Sequence, residues 1–177
     1  MKMGGTMEQP ILVAYATKHG STKEIAERIG KVLRDGGLPV EIIPVKQVAS
    51  LEPFRAVVLG SASYYGFWRR EAVKFLKKRA AELAARPAWL FMSGPGGKGD
   101  PVELLKGRVY PPGLQPTLDA IKPRDVAAFH GNTSPEKFSG WEKWVLRRVG
   151  SDAADFRDWD MITDWAKSIA AALGEAV

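Results

Sequence analysis

A short apolar run that ends in a glycine- and hydroxyl-rich turn, and then opens straight into an amphipathic pattern, leaves a chain few ways to fold. Here Ile11-Leu-Val-Ala14 leads into Tyr15-Ala-Thr-Lys-His-Gly-Ser-Thr22 and then Lys23-Glu-Ile-Ala-Glu-Arg-Ile29. Ile11 to Tyr15 reads as a buried strand, and Ile25, Ile29, Val32 and Leu33 share one face of a helix from Ser21 to about Asp35. The turn therefore lies at a helix N-terminus, where the first backbone N–H groups lack internal partners and the helix dipole places partial positive charge. Thr17, Ser21 and Thr22 add hydroxyl donors, Gly20 permits close backbone approach, and Lys18 and His19 add positive charge, so the stretch reads as a phosphate cradle. The turn alone equally admits a plainer reading, in which Ser21 or Thr22 is an ordinary N-cap.

The remaining chain alternates strands and helices. Leu38 to Val45, Phe54 to Gly60, Pro87 to Met92 and Asp125 to His130 are the expected second to fifth strands, with helices from about Phe67 to Ala85 and Trp159 to Leu173. Five short strands with helical crossovers make an α/β fold, an open doubly wound five-stranded parallel sheet with helices on both faces. With 177 residues, 45% of them hydrophobic, the chain suits one domain over residues 9–177, preceded by a flexible tail at 1–8 in which Met7 is an alternative start. The absence of cysteine excludes disulfides, iron–sulfur clusters and thiol redox chemistry, so any electron transfer falls to a bound cofactor. Two histidines, His19 and His130, are too few for a histidine-rich metal site, and no metal is expected. No apolar run reaches bilayer-spanning length and the N-terminal stretch is too short and polar for a signal peptide, which makes the cytoplasm the expected location.

In such a sheet, ligands bind beyond the carboxyl ends of the strands where strand order reverses, so the loops after the first, third and fourth strands carry the information. The third strand runs into Gly60-Ser-Ala-Ser-Tyr-Tyr-Gly-Phe-Trp68. Ser61, Ala62, Ser63 and Gly66 allow close backbone approach, and Tyr64, Tyr65 and Trp68 offer faces for a flat conjugated ligand, although all three could equally be packing residues. Phe67 is assigned to the start of the next helix, packed on the sheet. After the fourth strand comes Ser93-Gly-Pro-Gly-Gly-Lys-Gly-Asp100, in which Gly94, Gly96 and Gly99 have G-x-G-x-x-G spacing. A dinucleotide fingerprint opens a helix in the first βαβ unit and a Walker loop needs Ser or Thr after its lysine; this loop does neither. Ser93, Gly94, Pro95, Gly96 and Gly97 read instead as the backbone-rich rim of the same pocket.

Together these loops resemble those of the flavodoxin family, whose phosphate loop has the form T-x-T/S-G-x-T: Thr17, Gly20 and Thr22 match, and His19 stands in place of a hydroxyl residue. More closely, the chain looks like the flavodoxin-domain group that includes menaquinone-dependent protoporphyrinogen IX dehydrogenases. The passages that carry this likeness are the phosphate loop, Gly60-Ser-Ala with Tyr65-Gly66 before a basic helix, and Asp155-Phe-Arg-Asp-Trp-Asp160 before the last helix. The resemblance implies strand order 2-1-3-4-5. It also implies noncovalent FMN, with its phosphate at residues 17–22 and its isoalloxazine between the loops near 61–66 and 93–97. The activity implied is transfer of electrons from a reduced substrate, protoporphyrinogen among the candidates, through FMN to a quinone. No Asp, Glu or His stands out as a catalytic acid or base; Arg69 and Lys98 are candidate carboxylate contacts or simply solvated.

Two features bear on which function this fold carries. The net charge is +6, whereas carrier flavodoxins are generally acidic, and residues 66–86 hold Arg69, Arg70, Lys74, Lys77, Lys78, Arg79 and Arg86 against Glu71 and Glu82. A solvated helix face is the plainer reading of that charge, and no nucleic-acid-binding motif accompanies it, so no nucleic acid partner is expected. The second feature is an insertion at about residues 131–158 before the last helix, longer than a usual βα connection. Within it Phe138, Trp141, Trp144, Val145 and Val149 can share one helical face with Lys143 and Arg147 turned away. Such a helix either rests on the inner face of a membrane or packs on the domain, covering the sheet edge or lining the flavin pocket. Three function classes stay open: a quinone-linked oxidoreductase, an electron carrier with a protein partner, and a non-redox flavin-binding regulatory domain. The sequence specifies no oligomeric state.

Overall fold

The computed structural model describes residues 8–134, 136, 138–148 and 154–174. The expected tail, apart from Glu8, and Val149 of the expected apolar helix face lie outside the described residues. The central strands are β1 (Ile11–Ala16), β2 (Val40–Pro44), β3 (Ala56–Tyr64), β5 (Ala88–Ser93) and β6 (Asp125–Phe129), with a two-residue β4 (Phe67–Trp68). The sheet order is β2-β1-β3-β5-β6 with every neighbouring pair parallel, which is the expected 2-1-3-4-5 order once β4 is set aside.

Alternation along each strand sends side chains to two cores. In β1, Leu12, Ala14 and Ala16 face the layer of α2 (Arg70–Lys78), α3 (Ala80–Ala84) and α5 (Gln115–Ile121). Ile11, Val13 and Tyr15 face α1 (Ser21–Asp35) and α7 (Trp159–Gly174). Burial on both faces is why β1 reads as an unbroken apolar run rather than an alternating one. In α1, Ile25, Ile29 and Leu33 are fully buried, each worth about 1.5–3 kcal/mol in area removed from water. The helix stops at Gly36-Gly37, where Gly37 takes a left-handed φ of 86°. Gly60 is required by packing: a Cβ there would lie 2.0 Å from the Phe91 ring.

Two expectations need correction around residue 67. Phe67 does not begin a helix; Phe67 and Trp68 turn back as β4, antiparallel to Ser63 and Tyr64, through a reversal in which Tyr65 and Gly66 both have positive φ. Phe67 is consequently 71% exposed rather than packed on the sheet. The helix starts at Arg70 and breaks at Arg79 into α2 and α3. A further short helix, α4 (Pro101–Leu104), is capped by Asp100, whose carboxylate accepts from the Val102 and Glu103 amides. In the insertion, α6 (Gly140–Arg148) forms, and an isolated bridge ties Asn132 to Asp155.

Candidate cofactor site

The carboxyl ends of β1, β3, β5 and β6 converge on a cleft of about 520 Å³. Of the residues marked in the sequence, Thr17, Lys18, His19, Ser21, Thr22, Ala62, Ser63, Tyr64, Tyr65, Ser93, Gly94 and Gly96 line it. Gly20, Gly66, Pro95 and Gly97, in the same loops, and Ser61, within β3, are not among its lining residues. Ser61 Oγ is a structural group, accepting from the Arg69 amide at 3.0 Å and donating to the Ala62 carbonyl at 2.9 Å. Trp68 points elsewhere: 4% exposed, it joins the core under α2 and donates its indole N–H to the Val109 carbonyl at 3.1 Å.

The turn after β1 resolves the two readings of its hydroxyls. Neither Ser21 nor Thr22 caps α1; the N-cap is Gly20, at φ 87°, and no side chain accepts from the first helical amides. Thr22 is fully buried with its Oγ 2.8 Å from Ser93 Oγ, pinning the first turn of α1 to the end of β5. Ser21 Oγ accepts from the Asn132 amide at 3.2 Å, and Thr17 Oγ accepts from the Gly20 amide at 3.0 Å. The hydroxyls shape the loop and leave the amide end of a 15-residue helix facing the cleft. Free amides, helix dipole and flanking Lys18 are the donor set a phosphate monoester needs.

His19 stands over this end with its ring centroid 4.7 Å from Phe138 and 6.1 Å from Tyr64. Its Nε2 is buried with no hydrogen-bond partner of good geometry, though it lies 3.4 Å from Glu142 Oε1. Burial chiefly, helped by Lys18 and Arg69, pulls its pKa below the usual imidazole range, with Glu142 opposing. The Glu142 carboxylate also pairs with Lys18 and accepts from the Ser139 amide and hydroxyl. The bond from Lys18, then those from Ser139, hold the Glu142 pKa down at about 2. Burial pushes the Tyr64 phenol up to about 12, keeping it a neutral donor.

Arg69, and Phe138, Trp141 and Val145 of the insertion, also line the cleft, as one reading of each allowed. The sequence reading missed Gly131, Asn132, Thr133 and Glu142, which line it too. The end of β6 was a usable signal, because the strand-end rule applies to it as much as to β5. Glu142 carried none: it sits 124 residues from Lys18 and meets it only through the insertion. On α6, Trp141 is 71% and Trp144 57% exposed. The glycine-rich loop is tied down by buried His130, whose Nδ1 lies 3.0 Å from the Pro95 carbonyl and Nε2 2.7 Å from the Gly99 carbonyl. Gly94 packs so closely that a Cβ would lie 2.9 Å from the Ser63 carbonyl.

Residues 12–160 match the family described as flavodoxin domain. The chain belongs to the flavodoxin family. Its cofactor is FMN, and it falls among FMN-binding oxidoreductases and electron carriers. Among curated proteins it is similar to protoporphyrinogen IX dehydrogenase (quinone) of Escherichia coli strain K12, 28% identical over 79 residues. That match covers 44% of this chain and 44% of the relative, and the same figures hold for the protein of Escherichia coli O157:H7. Among solved structures, the Flv1 flavodiiron core from Synechocystis sp. PCC6803 superposes with TM-score 0.64 at 15% identity, over 97% of this chain and 38% of that one. A Streptococcus pneumoniae TIGR4 flavodoxin superposes with TM-score 0.56 at 14% identity, over 94% and 99%. At such identity these likenesses speak to the fold.

Proposed function

We propose that this chain is an FMN oxidoreductase that draws electrons from a reduced organic substrate and passes them to a quinone, with protoporphyrinogen as the candidate donor. The observation that carries this reading is the wall α6 adds to the cleft. Phe138, Trp141 and Val145 line the cleft together with Tyr64 and Tyr65, giving apolar and aromatic surface on which a flat substrate or a quinone ring can lie beside the cofactor. The curated relative's printed name, which couples porphyrinogen oxidation to quinone, agrees with it over the matched 79 residues.

In this proposal the amides at the start of α1, with Thr17, Lys18 and Ser21 around them, hold the phosphate. Ser61 to Tyr65 and Ser93 to Gly97 bracket the ring through backbone groups and the Tyr64 face. When bound, FMN supplies two-electron chemistry, so that the donor loses two electrons and two protons and the quinone gains them as quinol. The chain itself positions and insulates. Tyr64, neutral throughout the physiological range, offers an O–H to a substrate oxygen. Lys18 and Arg69 stand beside the cleft, paired with Glu142 and Glu71, and present N–H donors to it. Outward from the same wall, exposed Trp144, which does not line the cleft, stands with Arg147 and with Arg148, whose guanidinium lies 4.7 Å from the Trp144 ring centre. We read this as a peripheral contact with the anionic surface of the bilayer in which quinone is dissolved. No helix among the described residues is long and apolar enough to cross a membrane.

Steady-state turnover of FMN-loaded protein with protoporphyrinogen and a menaquinone analogue tests the reading. Quinol formation matched one-for-one to two-electron oxidation of the donor is expected. Flavin reduction without quinone turnover, but with electron exchange to a redox protein, would favour the carrier class instead.

A further inference from the structure

A second concavity, an open groove of about 1070 Å³, lies beyond Tyr64 and Arg69, which line both it and the cofactor cleft. Its long wall is the solvent edge of α2, and the basic residues of the chain's 66–86 stretch sort sharply around it. Three are structural. Arg79 pairs with Glu82 at 3.0 Å and donates to the Ala49 carbonyl at 2.7 Å; Arg86 donates to the Phe54 carbonyl at 2.7 Å; Arg69 pairs with Glu71 at 3.0 Å. The other four, Arg70, Lys74, Lys77 and Lys78, are exposed, line the groove and have no carboxylate or carbonyl partner among the described residues. Glu71, the one acidic residue lining the groove, is already taken by Arg69.

The four cations occupy positions i, i+4, i+7 and i+8, one helical face about 12 Å long at 1.5 Å per residue. Like charges at that spacing repel, and no carboxylate among the described residues pairs with them. Pro111 forms part of the opposite side and the exposed Phe67 ring rims the groove beside them. The concave shape disfavours a planar bilayer, and of the three aromatics that line the groove, Tyr64, Phe67 and Trp68, Phe67 alone is exposed, which is no stacking row for nucleic acid. The row of charge is longer than one small carboxylate ligand spans. An extended peptide of about four residues covers it at roughly 3.3 Å per residue.

We propose that this groove docks an acidic segment of a partner protein, its carboxylates facing Arg70, Lys74, Lys77 and Lys78 and an apolar side chain against Phe67, next to the FMN cleft. The docking stands independently of the quinone reading. It gives the chain a polarity opposite to that expected for acidic carrier flavodoxins.

A fluorescein-labelled peptide of alternating Glu and Leu serves as the probe, its anisotropy followed against FMN-loaded protein. Binding is expected to weaken about tenfold between low salt and 0.3 M salt. The double variant Lys74→Glu/Lys77→Glu is expected to lose about tenfold or more, the milder Lys74→Gln/Lys77→Gln about fivefold, and Phe67→Ala about threefold. Lys31→Glu/Lys167→Glu, with the same change of net charge on the α1 and α7 side, is expected to lose less than twofold. Equal loss in that control would overturn the proposal, as would displacement of the peptide by millimolar citrate. Tighter, equally variant-sensitive binding to phosphatidylserine vesicles or to a DNA oligonucleotide would overturn it too. FMN affinity of each variant, measured separately, stays at the wild-type value, so failure of docking and failure of the cofactor reading are told apart.

Discussion

The two walls of the cofactor cleft are built differently. The β1–α1 wall rests on a strand buried on both faces, and its hydroxyls are spent on internal bonds: Thr22 to Ser93, Ser21 to the Asn132 amide, Thr17 to the Gly20 amide. The α6 wall reaches the rest of the molecule through a few side chains, chiefly Glu142 on Lys18 and His19 and Phe138 on His19, and leaves Trp141 and Trp144 largely in solvent. One wall is an extension of the core and the other an addition to it. Cofactor binding therefore belongs to the fold, and in our proposal the choice of electron donor and acceptor belongs to the added wall.

The comparison breaks most visibly at the core beneath the first wall. Gly60→Ala forces a Cβ into the Phe91 ring, and thermal unfolding should show a loss of about 3 kcal/mol or more, a Tm lower by on the order of 10 °C. Thr22→Val removes one partner of a buried hydroxyl pair and orphans Ser93, for about 1–3 kcal/mol, and FMN titration should show roughly tenfold weaker binding.

The same contrast explains what could be read in advance. The β1–α1 wall was legible because its two periodicities and the turn between them are local; five strands followed from the same kind of signal, and their order from the resemblance to the flavodoxin family. The β4 hairpin was not: Phe67-Trp68 has no strand length of its own and exists only because β3 runs on to Tyr64 to receive it. In α6, spacing correctly grouped Trp141, Trp144 and Val145 but could not say which side the protein would cover. The packing of that helix is fixed by Glu142, a polar residue meeting a loop 124 positions away.

Smaller effects sharpen the second wall. Because Glu142 raises the His19 pKa against burial, Glu142→Gln should lower it further, read as a downward shift of the imidazole titration by NMR. The signs with pH agree. Stabilisation from Glu142 is complete above the ordinary carboxylate range and is lost as pH falls toward about 2; His19, held neutral by burial, costs stability as pH falls below 6.5. Acid therefore loosens α6 before it unfolds the sheet, and hydrogen exchange at pH 4 should open residues 138–148 ahead of β1. Smallest of all, Trp144→Ala should leave stability within about 0.5 kcal/mol of wild type while reducing co-sedimentation with anionic vesicles severalfold.

The central claim, that the turn after β1 holds FMN whatever the second wall does, is tested by fluorescence-quenching titration of FMN into wild type, Thr22→Val and Trp141→Ala. The account predicts one FMN per chain in wild type, about tenfold weaker binding in Thr22→Val, and affinity within about threefold of wild type in Trp141→Ala. FMN that fails to bind, or that is lost with Trp141 and kept without the Thr22 hydroxyl, would contradict it.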